Sequence, residues 1–293
     1  MRFRWDWLRP VVPVPFVPTI GPVHPSVLTE DVFADTLTAA STDRLFLRYD
    51  KDIRWSDSKD EAVLVEDIVH RPRMTLIPTL SRRGGGTVKV HAYGVTDETA
   101  LAASELAQKL CAVQDARKGR VVRFLGPEVP AGRGARVQLK DFRAAPCPAL
   151  EGPVHPFGEW PRGVRDTFAD FAREMAADGF AFLYEQMRAG KVGPVLTAVV
   201  GDRVAGAIGP MEIRPDAIGA AQLMPQYFGV LPTHRGLGLG RLLWRAAMHW
   251  GQSSGATYQL LQTEVGGPSD RLCRSEGLTS LGFVYSQAVQ LGR

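Results

Sequence analysis

Val230-Leu231-Pro232-Thr233-His234-Arg235-Gly236-Leu237-Gly238-Leu239-Gly240 decides how this chain is read. An apolar run precedes it and a helix-forming segment follows without a break. The glycines stand where a strand would turn into a helix, with an arginine just before the first. Glycine lets main-chain N–H groups come close to a ligand, and a helix start adds unpaired donors and a partial positive charge. Such a construction holds a phosphate or diphosphate. The dipole alone contributes about 0.3–1 kcal/mol. Charge-assisted hydrogen bonds, at roughly 1.5–3 kcal/mol each, dominate.

Three phosphate-binding patterns compete for the stretch. A P-loop ends in Gly-Lys-Ser/Thr, whereas Gly240 is followed by Arg241-Leu242, so the magnesium-binding hydroxyl is missing. A dinucleotide fingerprint needs Gly-x-Gly-x-x-Gly on an early strand and a later acidic ribose ligand. This run reads Gly-x-Gly-x-Gly and lies near the C-terminus. The third pattern fits. Val230-x-Pro232-x-x-Arg235-Gly236-x-Gly238-x-Gly240 resembles the acyl-CoA diphosphate loop of the GNAT N-acyltransferase superfamily, and the resemblance extends over about residues 160–290.

The resemblance implies a mixed, mostly antiparallel α/β (α+β) sheet flanked by helices. It implies acetyl-CoA or another acyl-CoA as donor, an amine of a small molecule as acceptor, and no metal. Arg235, Gly236, Leu237, Gly238, Leu239, Gly240 and Arg241 would hold the diphosphate, and Gly229 and Val230 would pair with the pantetheine arm. On the residues alone, Arg235 either meets a phosphate or fixes the turn. Arg241 falls in the first helical turn, facing where a phosphate would sit, and Arg245 and His249 follow on the same, solvated face.

The chain has 293 residues, enough for two domains with a core each. It is 45% apolar and 23% charged, and no apolar run approaches the roughly 20 residues that span a membrane. Cys111, Cys147 and Cys273 are odd in number and lack metal-ligand spacing, which makes a reducing cytoplasm the default. A net charge of +4 suits an anionic partner such as CoA and does not demand nucleic acid.

Residues 1–22 read as a proline-rich extended arm, because prolines break up Val11–Pro18. Residues 23–126 read as an N-terminal α+β domain. It has a helix over Thr29–Ala40 and strands over Arg44–Tyr49, Met74–Pro78, Thr87–Tyr93 and Val121–Leu125. A long helix from Glu98 to Ala116 has Leu101, Leu106, Leu110 and Val113 as its apolar positions. Tyr93-Gly94-Val95 matches Phe228-Gly229-Val230 at an offset of 135 residues. The N-terminal half is therefore open to two readings, a degenerate second copy of the same fold or an unrelated accessory domain. Residues 127–160, rich in proline and glycine, read as a linker, and 161–293 as the acyl-CoA-binding domain. That domain has helices over 161–175 and 180–189 and strands over 195–200 and 203–213, with a hairpin turn at Gly201-Asp202. A strand over 221–230 leads into the loop.

Acyl transfer to an amine needs a neutral nucleophile, support for the oxyanion and a proton for the leaving thiolate. Members of the resembled family often place a glutamate in the strand before the loop and a tyrosine in Leu-Tyr-x-x-x-Gly-Phe. Here Gln222–Phe228 contains no carboxylate, and the later motif puts Leu278 or Cys273 at the tyrosine position. Glu264 and Tyr227 are the candidate catalytic residues, with Glu212 as a further base and Cys273 as a further acid. Two rival functions remain. One is an aminoacyl-tRNA-dependent transferase of the same fold, which the Arg82-Arg83 turn would allow, and the other is a CoA-binding module without catalysis.

Overall fold

A computed structural model describes residues 5–41, 45–94, 96–128, 133–144, 146–147 and 152–291. Arg44, Val95, Pro130, Gly132 and Pro148, which entered the expectations above, lie outside the described residues. The chain divides into two units, residues 1–140 with 260–293 and residues 141–259.

The first unit contains α1 (Trp5–Leu8), β1 (Phe16–Val17), β2 (Gly21–Pro22), α2 (Glu30–Ser41), β3 (Glu61–Val63), β4 (Val69–Arg71) and β5 (Met74–Ser81). It continues with β6 (Thr87–Tyr93), α3 (Asp97–Val113), β7 (Lys118–Leu125) and β8 (Ala135–Asp141). The expected linker span thus holds a strand, and apolar Val137 on it is fully buried. The expected strand over 44–49 does not form in its described part, where a short 3-10 helix follows at Lys51–Arg54.

The N-terminal stretch is no free arm. Leu8, Val14 and Val17 are fully buried, and the Tyr93 hydroxyl donates to the Phe16 carbonyl at 2.8 Å. The apolar residues between the prolines form a packed strip, which outweighs the extended tendency of the prolines. Pro78 does not end β5 either. β4 pairs with Met74–Leu76 and β3 with Thr79–Ser81, so Pro78 sits in the gap between them, where no N–H is required. On α3 the buried row is Thr99, Ala103, Ala107 and Leu110, while Leu101 and Val113 are exposed. Small residues let this helix lie close on the sheet; of the four expected apolar positions Leu110 is buried and Leu106 packs beside it, and Leu101 and Val113 face away.

β6 and β7 pair in parallel from Thr87↔Lys118 to Ala92↔Arg123. The final strand, β16 (Thr279–Val289), runs antiparallel between β7 and β8 within this unit, although it was expected in the C-terminal domain. Its 11 residues need ladder partners on both edges, and β7 and β8 supply them. Asp270, on α8 (Pro268–Ser275), is fully buried against Arg136 at 2.7 Å. Burial pushes its carboxyl up, but the Arg136 guanidinium and the Gly266 N–H more than offset this and hold it below the usual range.

The second unit contains β9 (Val154–Pro156), α4 (Arg162–Asp166), α5 (Phe168–Glu174), α6 (Phe180–Arg188), β10 (Leu196–Val200) and β11 (Arg203–Gly209). It continues with β12 (Ile213–Pro215), β13 (Ala221–Leu223), β14 (Tyr227–Val230) and α7 (Leu239–Ser253), and takes in the first residues of β15 (Tyr258–Glu264). Four strands form one antiparallel sheet in the order β14-β11-β10-β9. Phe168, Phe171, Met175, Phe180 and Leu183 cover one face. α7 covers the other, with Leu243 against Gly206.

Two expected strands are broken by prolines. The strand expected over 203–213 ends at Gly209, before Pro210, and Ile213 starts β12. The strand expected over 221–230 is interrupted at Met224–Gln226. Gln222 and Leu223 pair in parallel with Tyr258 and Gln259, whereas Tyr227–Val230 pair with β11. Pro225 has no N–H to continue a ladder, and there the chain passes from one sheet to the next.

Candidate functional site

β14 is an edge strand, and its register shows which groups are free. Val230 lies opposite Gly206 and Gly229 opposite Ala207, and the Leu231 N–H donates to the Ala205 carbonyl at 2.9 Å. In an antiparallel ladder, residues that bond to the partner alternate with residues that do not. Leu231 and Gly229 therefore turn their polar groups toward β11, and Phe228 and Val230 turn theirs to the open edge. Of the two expected arm contacts, Val230 turns its main chain to the open edge, where its carbonyl already accepts from Arg235 and its N–H remains, and Gly229 does not. Phe228 takes the second place, a residue the sequence reading missed because the parity follows only from the register. Gly229 is needed for packing instead, since a Cβ there would stand 2.7 Å from Met175 Cε and 2.8 Å from Phe180 Cε2.

After β14, Pro232–His234 form a 3-10 turn, and Arg235 is extended. The Arg235 Nε donates to the Val230 carbonyl at 3.2 Å, so this exposed side chain braces the turn. Gly236 and Gly238 have φ of +85° and +80°, the left-handed region that favours glycine. Gly238 is the N-cap of α7 and provides no side chain to close it. The Arg241 and Leu242 N–H groups return to the Gly238 carbonyl at 3.0 and 3.2 Å. Among the described residues, the N–H groups of Gly238, Leu239 and Gly240 meet no acceptor. Leu237 and Arg241 are exposed at the same entrance, and Leu239 is buried beneath it. Gly240 would tolerate a Cβ, whose nearest neighbour is Phe228 Cζ at 3.6 Å.

The candidate acid–base residues are divided between the two units. Tyr227 is half-buried, its ring 6.3 Å from that of Phe180 and packed over Gly179. Glu264 ends β15 in the first unit with an exposed side chain. Glu212 precedes β12 and is held by the Arg214 guanidinium. Cys273 is buried, and burial, aided by the nearby Asp270 charge, pushes its thiol up to about 12. A thiol so reluctant to ionise is a poor proton donor. Tyr258 is occupied as well. Burial raises its pKa strongly, and its hydroxyl donates to Asp216 at 2.8 Å, stabilising the β12–β13 turn.

A cleft of about 860 Å³ lies at the other end of the sheet, where Arg162, Arg165, Tyr184, Arg188 and Val195 surround the edge formed by β9 and β10. Among the described residues, no group of three His, Cys, Asp or Glu is placed to hold a metal. None of their helices is long and apolar enough to cross a membrane.

A free-edged strand running through left-handed glycines into an uncapped helix defines an anion-anchoring strand–loop–helix unit. Residues 159–274 match the acetyltransferase (GNAT) family, and the C-terminal part of the chain is a GNAT domain. No curated protein matches the chain. Among solved structures it is similar to a GCN5-related N-acetyltransferase from Sphaerobacter thermophilus, at 15% identity over 83% of this chain and 85% of that one, with a TM-score of 0.49. It is also similar to a GCN5-related N-acetyltransferase from Kribbella flavida, at 14% identity over 78% and 92% with a TM-score of 0.46. A tandem GNAT protein from the clavulanic acid biosynthesis pathway matches at 13% identity over 83% and 87%, with a TM-score of 0.45.

Proposed function

We propose that this chain is an acyl-CoA-dependent N-acyltransferase that transfers an acetyl group from acetyl-CoA to an amine of a small molecule. The carrying observation is the row of unpartnered N–H groups on Gly238, Leu239 and Gly240 at a helix entrance without a side-chain cap. The diphosphate would accept from those groups, with Arg241 beside it. The amides of the pantetheine arm would complete the main-chain ladder of Phe228 and Val230, as an added strand does. Gly236 and Leu237 shape the approach, and Arg235 holds the turn.

The amine attacks the thioester carbonyl, and the tetrahedral intermediate then expels the thiolate. β14 carries no carboxylate, so the acceptor arrives as the neutral amine and positioning supplies much of the acceleration, which can amount to several kcal/mol. Tyr227 would be the aromatic wall beside the acceptor. Residues 23–126 would be a second, degenerate copy without the glycine loop.

Incubating the protein with acetyl-CoA and pooled primary amines, with free thiol as the readout, tests the reading. Thiol release that depends on both components supports it. CoA binding without release from any acyl-CoA identifies a non-catalytic binding module. A donor destroyed by nuclease, with activity that falls steeply with salt, identifies the aminoacyl-tRNA reading.

A further inference from the structure

Where the chain passes from β13 to β14, two glutamines are locked together with half of each amide unsatisfied. Gln259 is fully buried, and its Nε2 donates to Gln226 Oε1 at 2.8 Å and to the Met224 carbonyl at 3.5 Å. Gln226 Nε2 and Gln259 Oε1 are buried and meet no partner among the described residues. The network orients both amides. The Met224 carbonyl can only accept, so the nitrogen of Gln259 must face it. That nitrogen then requires the oxygen of Gln226, which leaves one donor and one acceptor over. An orphan of either kind, left buried, is costly.

The pair lies at the start of the strand whose free edge leads to the glycine loop. Gln226 directly precedes β14, and from it to Val230 an extended chain spans roughly 13 Å at about 3.3 Å per residue, a length comparable with an extended pantetheine arm. A ligand arm entering at the loop and following β14 would therefore deliver its thioester close to the glutamines. The strand can yield to it, because β14 is laddered on its β11 side alone. Parting of the Gln226–Gln259 contact would expose a donor and an acceptor side by side. That set matches a thioester carbonyl, which accepts, and an attacking amine, which donates.

We propose that Gln226 and Gln259 hold the reacting centre, Gln226 Nε2 donating to the acyl oxygen and Gln259 Oε1 accepting from the amine N–H. This rests on the acyltransferase reading and deepens it. The amine lone pair forms the C–N bond while the carbonyl π pair moves onto the oxygen, which Gln226 stabilises. As the C–S bond breaks, its electron pair leaves on sulfur. The proton lost from nitrogen, directly or through water, yields the free thiol and the amide. A glutamine oxygen orients the amine without removing its proton, so no titrating carboxylate is required. The rate then follows the ionisation of the acceptor.

The test compares binding of acetyl-CoA and CoA to the full chain and to Gln226→Met, a near-isosteric change without a donor. Gln226→Met should weaken acetyl-CoA about 2- to 10-fold, the worth of one hydrogen bond, and leave CoA unchanged. It should also raise the carbonyl stretching frequency of bound ¹³C-labelled acetyl-CoA. Gln259→Met should leave both affinities and that frequency unchanged and raise the KM of whichever amine supports thiol release. Gln226→Glu, which preserves size, guards against a folding artefact and should cut turnover by at least about 100-fold through repulsion of the oxyanion. If the wild-type chain binds both ligands but Gln226→Met changes neither the acetyl-CoA preference nor the carbonyl frequency, the glutamine proposal fails and the acyltransferase reading stands. If the wild-type chain binds neither ligand, both fail.

Discussion

Gly238→Glu separates the loop's role in binding from its role in folding. Gly238 has φ +80°, and a Cβ built there meets nothing within 4 Å, so the fold suffers no clash. It does suffer the left-handed penalty of about 1–2 kcal/mol for a residue with a Cβ. In a chain of this size that lowers the melting temperature by roughly 2–8 °C. Binding should fall much further. The new carboxylate stands at the entrance where the Gly238, Leu239 and Gly240 N–H groups lack partners, and it repels the diphosphate. Loss of two charge-assisted hydrogen bonds at about 1.5–3 kcal/mol each removes about 3–6 kcal/mol. That corresponds to a Kd weakened on the order of 10²- to 10⁴-fold. Isothermal titration with CoA measures the affinity, and a thermal melt on the same sample confirms that it is folded. Gly238→Ala shares the backbone cost without the charge and should retain much more of the affinity. A folded Gly238→Glu protein whose CoA affinity stays within about threefold of wild type would refute the assignment of the diphosphate to this entrance.

Gly229→Ala should destabilise the protein by about 1–3 kcal/mol through overpacking against Phe180, because its polar groups already face β11. The CoA affinity of the folded protein should not change, and a tenfold loss would show that Gly229 is a ligand contact after all. Thr96→Ala removes the side-chain cap of α3, whose hydroxyl accepts from the Thr99 N–H at 3.3 Å, and should cost about 0.5–2 kcal/mol with CoA binding intact. Weakened CoA binding would point to a second nucleotide site in the N-terminal half. His91 is buried, and burial depresses its pKa from 6.5 to about 4. The unfolded chain then binds the proton more readily than the folded one between those values, so stability falls as pH drops from 6.5 toward 4. The loss totals about 3 kcal/mol, and urea midpoints should follow it. The Glu61 carboxyl, which burial raises but Lys89 and His91 more than offset, stays below its usual range and contributes its loss only at lower pH. A variant with His91→Gln should flatten the slope between pH 6.5 and 4.5, and an unchanged slope would contradict the assignment.

How much of this was legible in the sequence depends on whether the signal is local. The left-handed turns at Gly236 and Gly238 are written in the residues themselves, because few others adopt that backbone. The helix after them is marked by its apolar period, with Leu239, Leu243, Trp244, Ala246, Ala247 and Met248 on its buried face. Pro225 was visible as well, but its consequence was not. A proline says that a ladder is interrupted and does not say that the two pieces join different sheets. The parity that turns Phe228 outward and Gly229 inward needs the register with β11, a relation between segments some 20 residues apart. The partnering of β16 with β7 and β8 is more remote still, and no local pattern in Thr279–Val289 announces its neighbours. The exposed Leu101 shows the converse failure, in which a strong apolar residue outweighed the small residues that let α3 approach its sheet.

The two strand–helix–strand passages show how little separates a closed unit from an open one. In the N-terminal passage, β6 and β7 stay paired through Ala92↔Arg123, and the Thr96 hydroxyl caps the helix that joins them. Main-chain groups that would greet a ligand are already satisfied by the protein. In the C-terminal passage, Pro225 frees Tyr227–Val230 from the strand beside β13, and Gly238 leaves α7 uncapped. Each change withdraws an internal partner and leaves a polar group exposed to whatever can replace it. A diphosphate followed by an amide-bearing arm replaces both sets at once, and a simple phosphate replaces only the first. CoA should therefore bind far more tightly than inorganic diphosphate. If the two bind equally, the free edge of β14 contributes nothing and the anion alone is recognised.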